Sequence, residues 1–186
     1  MNYQILVNKN HPISQEWMKQ NQLYPLVERD KIFYMNQKAM RQYLKLKRRV
    51  YQKTGIIIAL DSTYRSLEEQ KKIITEMKQE YGELYMSRFV SKVGESEHHT
   101  GLAIDLTIYH HDHYLTNNYE LEAAIDQFSQ IYPFLGYYGF ILRYPKGKEH
   151  ITKIPFEIWH IRYVGVKAAK DLKRKHQVLE QYKKKL

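Results

Sequence analysis

The sequence predicts an α+β fold, a mostly antiparallel sheet with helices packed beside it. Three observations lead there. Short, β-branched apolar runs at 56–60 and 158–164 read as strands. Longer segments at 36–53 and from 67 onward carry helical spacing. The two kinds of element mix without a regular βαβ alternation, which argues against a parallel doubly wound sheet. The length of 186 residues suits one domain, residues 1–186, and 43% hydrophobic against 27% charged residues leaves enough apolar surface for a core with a cleft.

In chain order, residues 4–7 read as a short strand. Residues 36–53 form a helix: Asn36 can cap it, Met40, Tyr43, Leu44, Val50 and Tyr51 make one stripe, and Gly55 follows its end. Residues 56–60 are a buried strand. Ser66 and Glu69 then match a capping box, opening a helix that should bury Ile73, Ile74, Met77 and Tyr81. Gly82 ends that helix, and a second short one follows over 83–91. Residues 102–108 alternate as a strand, 109–118 are a polar loop, and 120–131 are a helix. Residues 140–144 and 158–164 are strands, and 166–183 form a basic terminal helix.

The chain has no cysteine, so disulfides, thiolate nucleophiles and cysteine-based zinc sites are all excluded. A transition metal would have to be held by histidine and carboxylate. No segment approaches the ~20 apolar residues of a membrane span, and the first residues lack the apolar run of a signal peptide. A cytoplasmic protein is the expectation. The formal net charge is +10, with 30 Lys and Arg against 20 Asp and Glu. Lys45, Lys47, Arg48, Arg49 and Lys53 form one basic cluster, and Lys170, Lys173, Arg174, Lys175 and Lys183 to Lys185 another. Both read as solvated helix faces, so no nucleic-acid partner is expected.

Two segments carry residues that do metal chemistry. In Ser96-Glu97-His98-His99-Thr100-Gly101-Leu102-Ala103-Ile104-Asp105, a histidine-bearing loop runs into a strand. Leu102, Ile104 and Leu106 share the core face, so Asp105 points the other way, between the small Ala103 and Thr107. An ionised Asp there needs a partner, and a metal shared with a loop histidine would be one. Spacing alone does not choose between His98 and His99. In Glu157-Ile158-Trp159-His160-Ile161-Arg162-Tyr163, His160 sits in an aromatic strand. Positions three apart in a strand face opposite sides, so Glu157 can reach the same metal only from outside the regular strand, where Pro155 favours an irregular backbone. Two histidines, one aspartate and a free glutamate meet the needs of a catalytic zinc site: three ligands, an open position and a base. A third element, Asp61-Ser62-Thr63-Tyr64-Arg65-Ser66, places Arg65 between a strand end and a helix start, where a guanidinium can hold a carboxylate or an oxyanion. His110, His111 and His113 read as a polar loop without ligand spacing.

Ser96-x-His98-x-x-Gly101-x-Ala103-x-Asp105, Glu157-x-Trp159-His160-x-Arg162 and Tyr64-Arg65-Ser66 together resemble the D-alanyl-D-alanine metallopeptidases. That superfamily also holds lysostaphin-type enzymes and hedgehog domains. Asn8 to Pro12 and Tyr138 to Pro145 are similar to the VanY and VanXY branch of D,D-carboxypeptidases and D,D-dipeptidases of glycopeptide resistance. The resemblance implies a hedgehog-like zinc cleft with one Zn²⁺ per chain, held by His98, Asp105 and His160. It implies Glu157 as base, Arg65 as oxyanion stabiliser and substrate anchor, and Gln70 and Ser96 as substrate contacts. His99 stands where relatives often carry Gln and is not expected to ligate. The implied substrates are D-Ala-D-Ala and peptides ending in D-Ala. L,D-carboxypeptidase or phage-type endopeptidase activity uses the same motifs, and a non-catalytic polyanion binder is the alternative from another class. Neither dipeptide against longer-peptide preference nor oligomeric state follows from these residues.

Overall fold

The computed structural model describes residues 1–182, without the side chains of residues 84–89. A short helix α1 (Gln15–Gln20) leads into a hairpin of β1 (Leu23–Glu28) and β2 (Lys31–Asn36). Then come α2 (Gln37–Thr54), β3 (Ile57–Ser62) and α3 (Leu67–Phe89), followed by a 3-10 turn at Glu97–Thr100. The second half holds β4 (Ala103–His110), β5 (His113–Tyr114), α4 (Asn118–Ala123), α5 (Ile125–Leu135), β6 (Phe140–Leu142), α6 (Glu149–Thr152), β7 (His160–Tyr163) and α7 (Val166–Lys175). The main sheet has the order β3-β4-β7-β6, with β5 folded back on β4, and every pairing is antiparallel. The α+β expectation holds. No helix among the described residues is long and apolar enough to cross a membrane.

β4 is the central strand. Its Ile104, Leu106 and Ile108 enter the core with Ile58 and Leu60 of β3, Ile161 of β7, and Tyr43, Leu46 and Val50 of α2. Its other face is lined by Ala103, Asp105 and Thr107, as the alternation required. The Asp105 side chain keeps 16% exposure there, because that face opens into a cleft.

α2 begins where Asn36 accepts a hydrogen bond from the Lys38 N–H, and ends at Gly55 in the left-handed region (φ 73°). Its buried stripe is Ala39, Tyr43, Leu46 and Val50, whereas Leu44 and Tyr51 of the expected stripe are exposed. The Ser66–Glu69 capping box is formed in both directions, at 3.1 and 2.7 Å. Gly82 breaks the helical path of α3 (φ 81°, ψ 170°), giving the two expected helical pieces. Little of this helix is core: Tyr81 is exposed, while Gln70, Ile73 and Met77 face the cleft.

Four expectations fail. Residues 4–7 form no strand; Gln4 and Ile5 instead bind the β7 end through Val164 and Arg162. The 109–118 loop holds a hairpin, with His111 and Asp112 both at positive φ in its two-residue turn. The 120–131 helix is two helices broken at Ala124. The terminal helix stops at Lys175, where His176 takes a left-handed conformation (φ 50°); residue 183 lies outside the described residues. The hairpin of β1 and β2 and the short α1 had no counterpart in the sequence reading.

Candidate metal centre and cleft

His98 sits in the 3-10 turn at Glu97–Thr100, closed by Gly101 in the left-handed region (φ 64°). The positive φ favours glycine here, and a β-carbon at Gly101 would also lie 2.5 Å from the Leu23 side chain and 3.3 Å from the Asn36 nitrogen. Ser96 caps the turn, its hydroxyl accepting from the His98 N–H at 3.3 Å. The His98 ring donates Nδ1–H to the Thr63 carbonyl at 2.5 Å, which leaves Nε2 as the free nitrogen. That nitrogen lies 3.1 Å from Asp105 Oδ2. On the other side, His160 Nδ1 lies 2.9 Å from Asp105 Oδ1. Asp105 and His160 are direct partners in the β4–β7 ladder, which brings their side chains together.

Ligand atoms of His98, Asp105 and His160 all lie within 4.8 Å of one another, the only such group among the described residues. Asp105 Oδ1 is buried and without a hydrogen bond of good geometry. Two imidazole nitrogens and a carboxylate oxygen converge, the oxygen left without a hydrogen bond, and the set fits a tetrahedral zinc with a fourth position open. Burial by itself would raise the Asp105 pKa, but His98 and His160 hold it well below the usual carboxylate range. The carboxylate is therefore ionised, as a ligand must be.

Glu157 lies before β7, in the irregular stretch after Pro155, as its spacing to His160 required. Its Oε2 is 3.5 Å from His160 Nδ1. Burial pushes its pKa up to about 7; His160 opposes this, while Asp105 and Glu97 add to it. Arg65 lines the same cleft, and its Nη1 donates to Gln70 Oε1 at 3.0 Å. Burial lowers its pKa, and Asp105, Glu69 and Glu157 partly restore it. Gln70 spends its amide on Arg65 and on the Ser91 carbonyl (2.7 Å), so its first task is to fix the guanidinium. His99 bridges the Arg65 carbonyl (2.7 Å) and the Gly94 N–H (3.1 Å), so it braces the loops and does not join the metal group. The His110, His111 and His113 loop assembles no ligand group either.

The cleft measures about 450 Å³, and Arg65, Ser96, His98, Asp105, Glu157, Trp159 and His160 are among its walls. A second cavity of about 340 Å³ shares Val90, Ser91, Tyr144 and Ile154 with it. Sequence reading missed the residues beneath the cleft. Glu97, Arg143 and Arg162 are fully or almost fully buried, with Tyr144 packed 4.9 Å from the His160 ring. The available signal was charge inside apolar strands: Arg143 follows Phe140-Ile141-Leu142, and Arg162 lies between Ile161 and Tyr163.

An α+β fold that converges two histidines, an aspartate and a free glutamate on a peptide-sized cleft defines a metallohydrolase. The VanY family model, D-alanyl-D-alanine carboxypeptidase, matches residues 32–166, and the chain belongs to that family. It is 35% identical over 188 residues to the putative carboxypeptidase YodJ of Bacillus subtilis, covering 95% of this chain but just under two thirds (65%) of that protein. It is 35% identical over 192 residues to VanXYC of Enterococcus gallinarum, a bifunctional D-Ala-D-Ala dipeptidase and carboxypeptidase, covering 98% and 94% of the two chains. Among solved structures, a VanY D,D-pentapeptidase mutant from a VanB-type resistance cassette, in complex with Zn(II), superposes with a TM-score of 0.81 at 27% identity, covering 98% and 99%. The D,D-dipeptidase VanXYg with a D-Ala-D-Ala phosphinate analogue gives 0.79 at 30%, covering 97% and 70%. The LD-carboxypeptidase LdcB gives 0.79 at 34%, covering 95% and 83%.

Proposed function

We propose that this chain is a zinc-dependent D,D-peptidase that removes D-Ala from the C-terminus of peptidoglycan-precursor peptides and cleaves D-Ala-D-Ala, the activity by which its glycopeptide-resistance relatives act. The observation that carries the reading is the placement of Glu157. A carboxylate with its pKa near neutrality stands 3.5 Å from His160 in a cleft that also exposes His98, Asp105 and Arg65.

His98 Nε2, His160 Nδ1 and an Asp105 oxygen would hold the metal. Zinc, when bound, supplies Lewis acidity, acidifying water and polarising a carbonyl. Glu157 accepts the proton of the attacking water and passes it to the leaving amine, a task suited to a group titrating near pH 7. Arg65, locked by Gln70, meets the negative charge that grows on the carbonyl oxygen and anchors the substrate's terminal carboxylate. Ser96 lines the cleft, where its hydroxyl would contact a substrate amide.

The similarity to LdcB favours L,D specificity as the second reading. Zinc-loaded protein incubated with D-Ala-D-Ala, with a pentapeptide ending in D-Ala-D-Ala and with a tetrapeptide ending in L-Lys-D-Ala separates them through released D-Ala. Release from the dipeptide and pentapeptide is the expected result. Release from the tetrapeptide alone selects the L,D reading, and release from none removes both.

A further inference from the structure

Glu97 has no place in the chemistry just described, yet its side chain is wholly enclosed one residue before a ligand. Its two oxygens do different work. Oε1 takes the Arg143 Nε–H at 2.8 Å and lies 2.8 Å from Arg162 Nη1. Both guanidiniums are themselves fixed. Arg143 is held in a two-pronged pair with Glu180 at 2.9 and 2.6 Å, and Arg162 donates to the Tyr3 and Ile5 carbonyls at 3.3 and 2.8 Å. Oε2 is left with no hydrogen bond, and it faces His160 Nε2 at 3.7 Å. That nitrogen is buried and has no hydrogen bond either. A buried acceptor and a buried donor that each lack a partner therefore look at each other. A closure of about half an ångström would bring them within bonding range. An unpaired buried polar group is costly, so two of them in register point to a bond that forms when the site is complete.

We propose that Glu97 is a positioning residue for the metal: it takes the Nε2 proton of His160 and so keeps Nδ1 turned toward Asp105 and His98. The arginines make this arrangement one-directional. Arg143 donates to Oε1 and Arg162 Nη1 ion-pairs with the same oxygen at 2.8 Å, so the carboxylate cannot turn its free oxygen away from His160 without stranding a buried cation. Outer partners of this kind orient ligand histidines, and their loss typically weakens metal binding about 10–100-fold. The inference rests on His160 being a zinc ligand through Nδ1.

Glu97→Gln is the informative variant. The amide oxygen must stay with the two guanidiniums, because an NH₂ cannot face the Arg143 Nε–H and a second buried cation. The NH₂ is then turned to His160 Nε2–H, donor against donor. Zinc affinity, measured by chelator competition on protein shown to be folded by circular dichroism, should fall about 10–100-fold. Glu28→Gln serves as the control: it perturbs a half-buried carboxylate elsewhere in the fold, one that accepts from Tyr43 and the Leu60 N–H, and should leave zinc affinity unchanged. In ¹⁵N-labelled, zinc-loaded wild type, the His160 Nε2 proton should be shifted downfield and slow to exchange, and that signature should vanish in Glu97→Gln. Zinc affinity within twofold of wild type in Glu97→Gln would overturn the proposal and leave Glu97 as a counter-ion for the arginines. If the variant does not fold, a freely exchanging His160 Nε2 proton in the zinc-loaded wild type overturns it equally. Absence of zinc binding by the wild type would instead remove the metallopeptidase reading itself.

Discussion

At the scale of single residues, the site works by pulling two carboxylates in opposite directions. Asp105 is held ionised by the histidines on either side of it, whereas Glu157, at the cleft wall, is pushed up to about 7 by burial. On the proposed assignment, the ligand and the base are thereby told apart by surroundings and not by residue type. Glu157→Gln should retain the metal and lose about 10²–10⁴-fold in kcat, checked by metal analysis beside D-Ala release. The base acts when ionised, so kcat/KM should fall as pH drops below its pKa. Zinc's positive charge opposes the effect of burial, which sets that acidic limb at or below pH 7; a pH–rate profile locates it, and a profile flat down to pH 5 would contradict the assignment. Arg65→Ala should lower kcat about 10²–10³-fold with little change in zinc affinity. Lysine at that position should restore only part of the rate, since it lacks the planar fork that Gln70 orients. A rise in KM with kcat unchanged would reduce Arg65 to a carboxylate anchor.

At the scale of elements, Ser66 and Glu69 offer the plainest test, because the box closes the start of the helix that carries Gln70. Ser66→Ala should cost about 0.5–2 kcal/mol in denaturant unfolding. The backbone hydrogen bond from Ser66 lowers the Glu69 pKa, so the cap's contribution is complete above the unfolded carboxyl value and fades as pH falls through the folded one. Caps of this sort were legible in the sequence: Asn36, Ser66, Gly55 and Gly82 all punctuate the chain where their side chains, or lack of one, demand it. So was the alternation that aims Asp105 away from the core. What escaped was decided by distant partners. β1 reads poorly as a strand because Pro25 interrupts it, and it is fixed by its pairing with β2. The 109–118 segment looks like a loop because its hairpin turn uses His and Asp in place of glycine. Glu97 was silent because its meaning depends on Arg143 and Glu180, far away in sequence.

For the molecule as a whole, the metal should contribute to stability as well as to reaction. Zinc held at a hundred times its dissociation constant adds about 2.7 kcal/mol to the folded state. For a chain of this size that raises Tm by about 5–10 °C, and calorimetry with and without chelator should show it. The His160→Ala protein should lose this difference. The net charge of +10 belongs elsewhere: Lys45, Arg48 and Arg49 border a shallow depression beside Phe134 and Tyr137 that shares no residue with the cleft. Random DNA is expected to bind more weakly than micromolar at physiological salt in a gel-shift titration.

The pairing of Asp105 with His160 across β4 and β7 makes the metal a test of register. A slip of one residue would turn His160 to the opposite face of the sheet. A slip of two would carry it about 6.6 Å along the strand, too far for a shared ion. On the proposed ligand set, misaligned ladders would forfeit the zinc, and each bound ion would certify that the two strands met in the one alignment able to hold it.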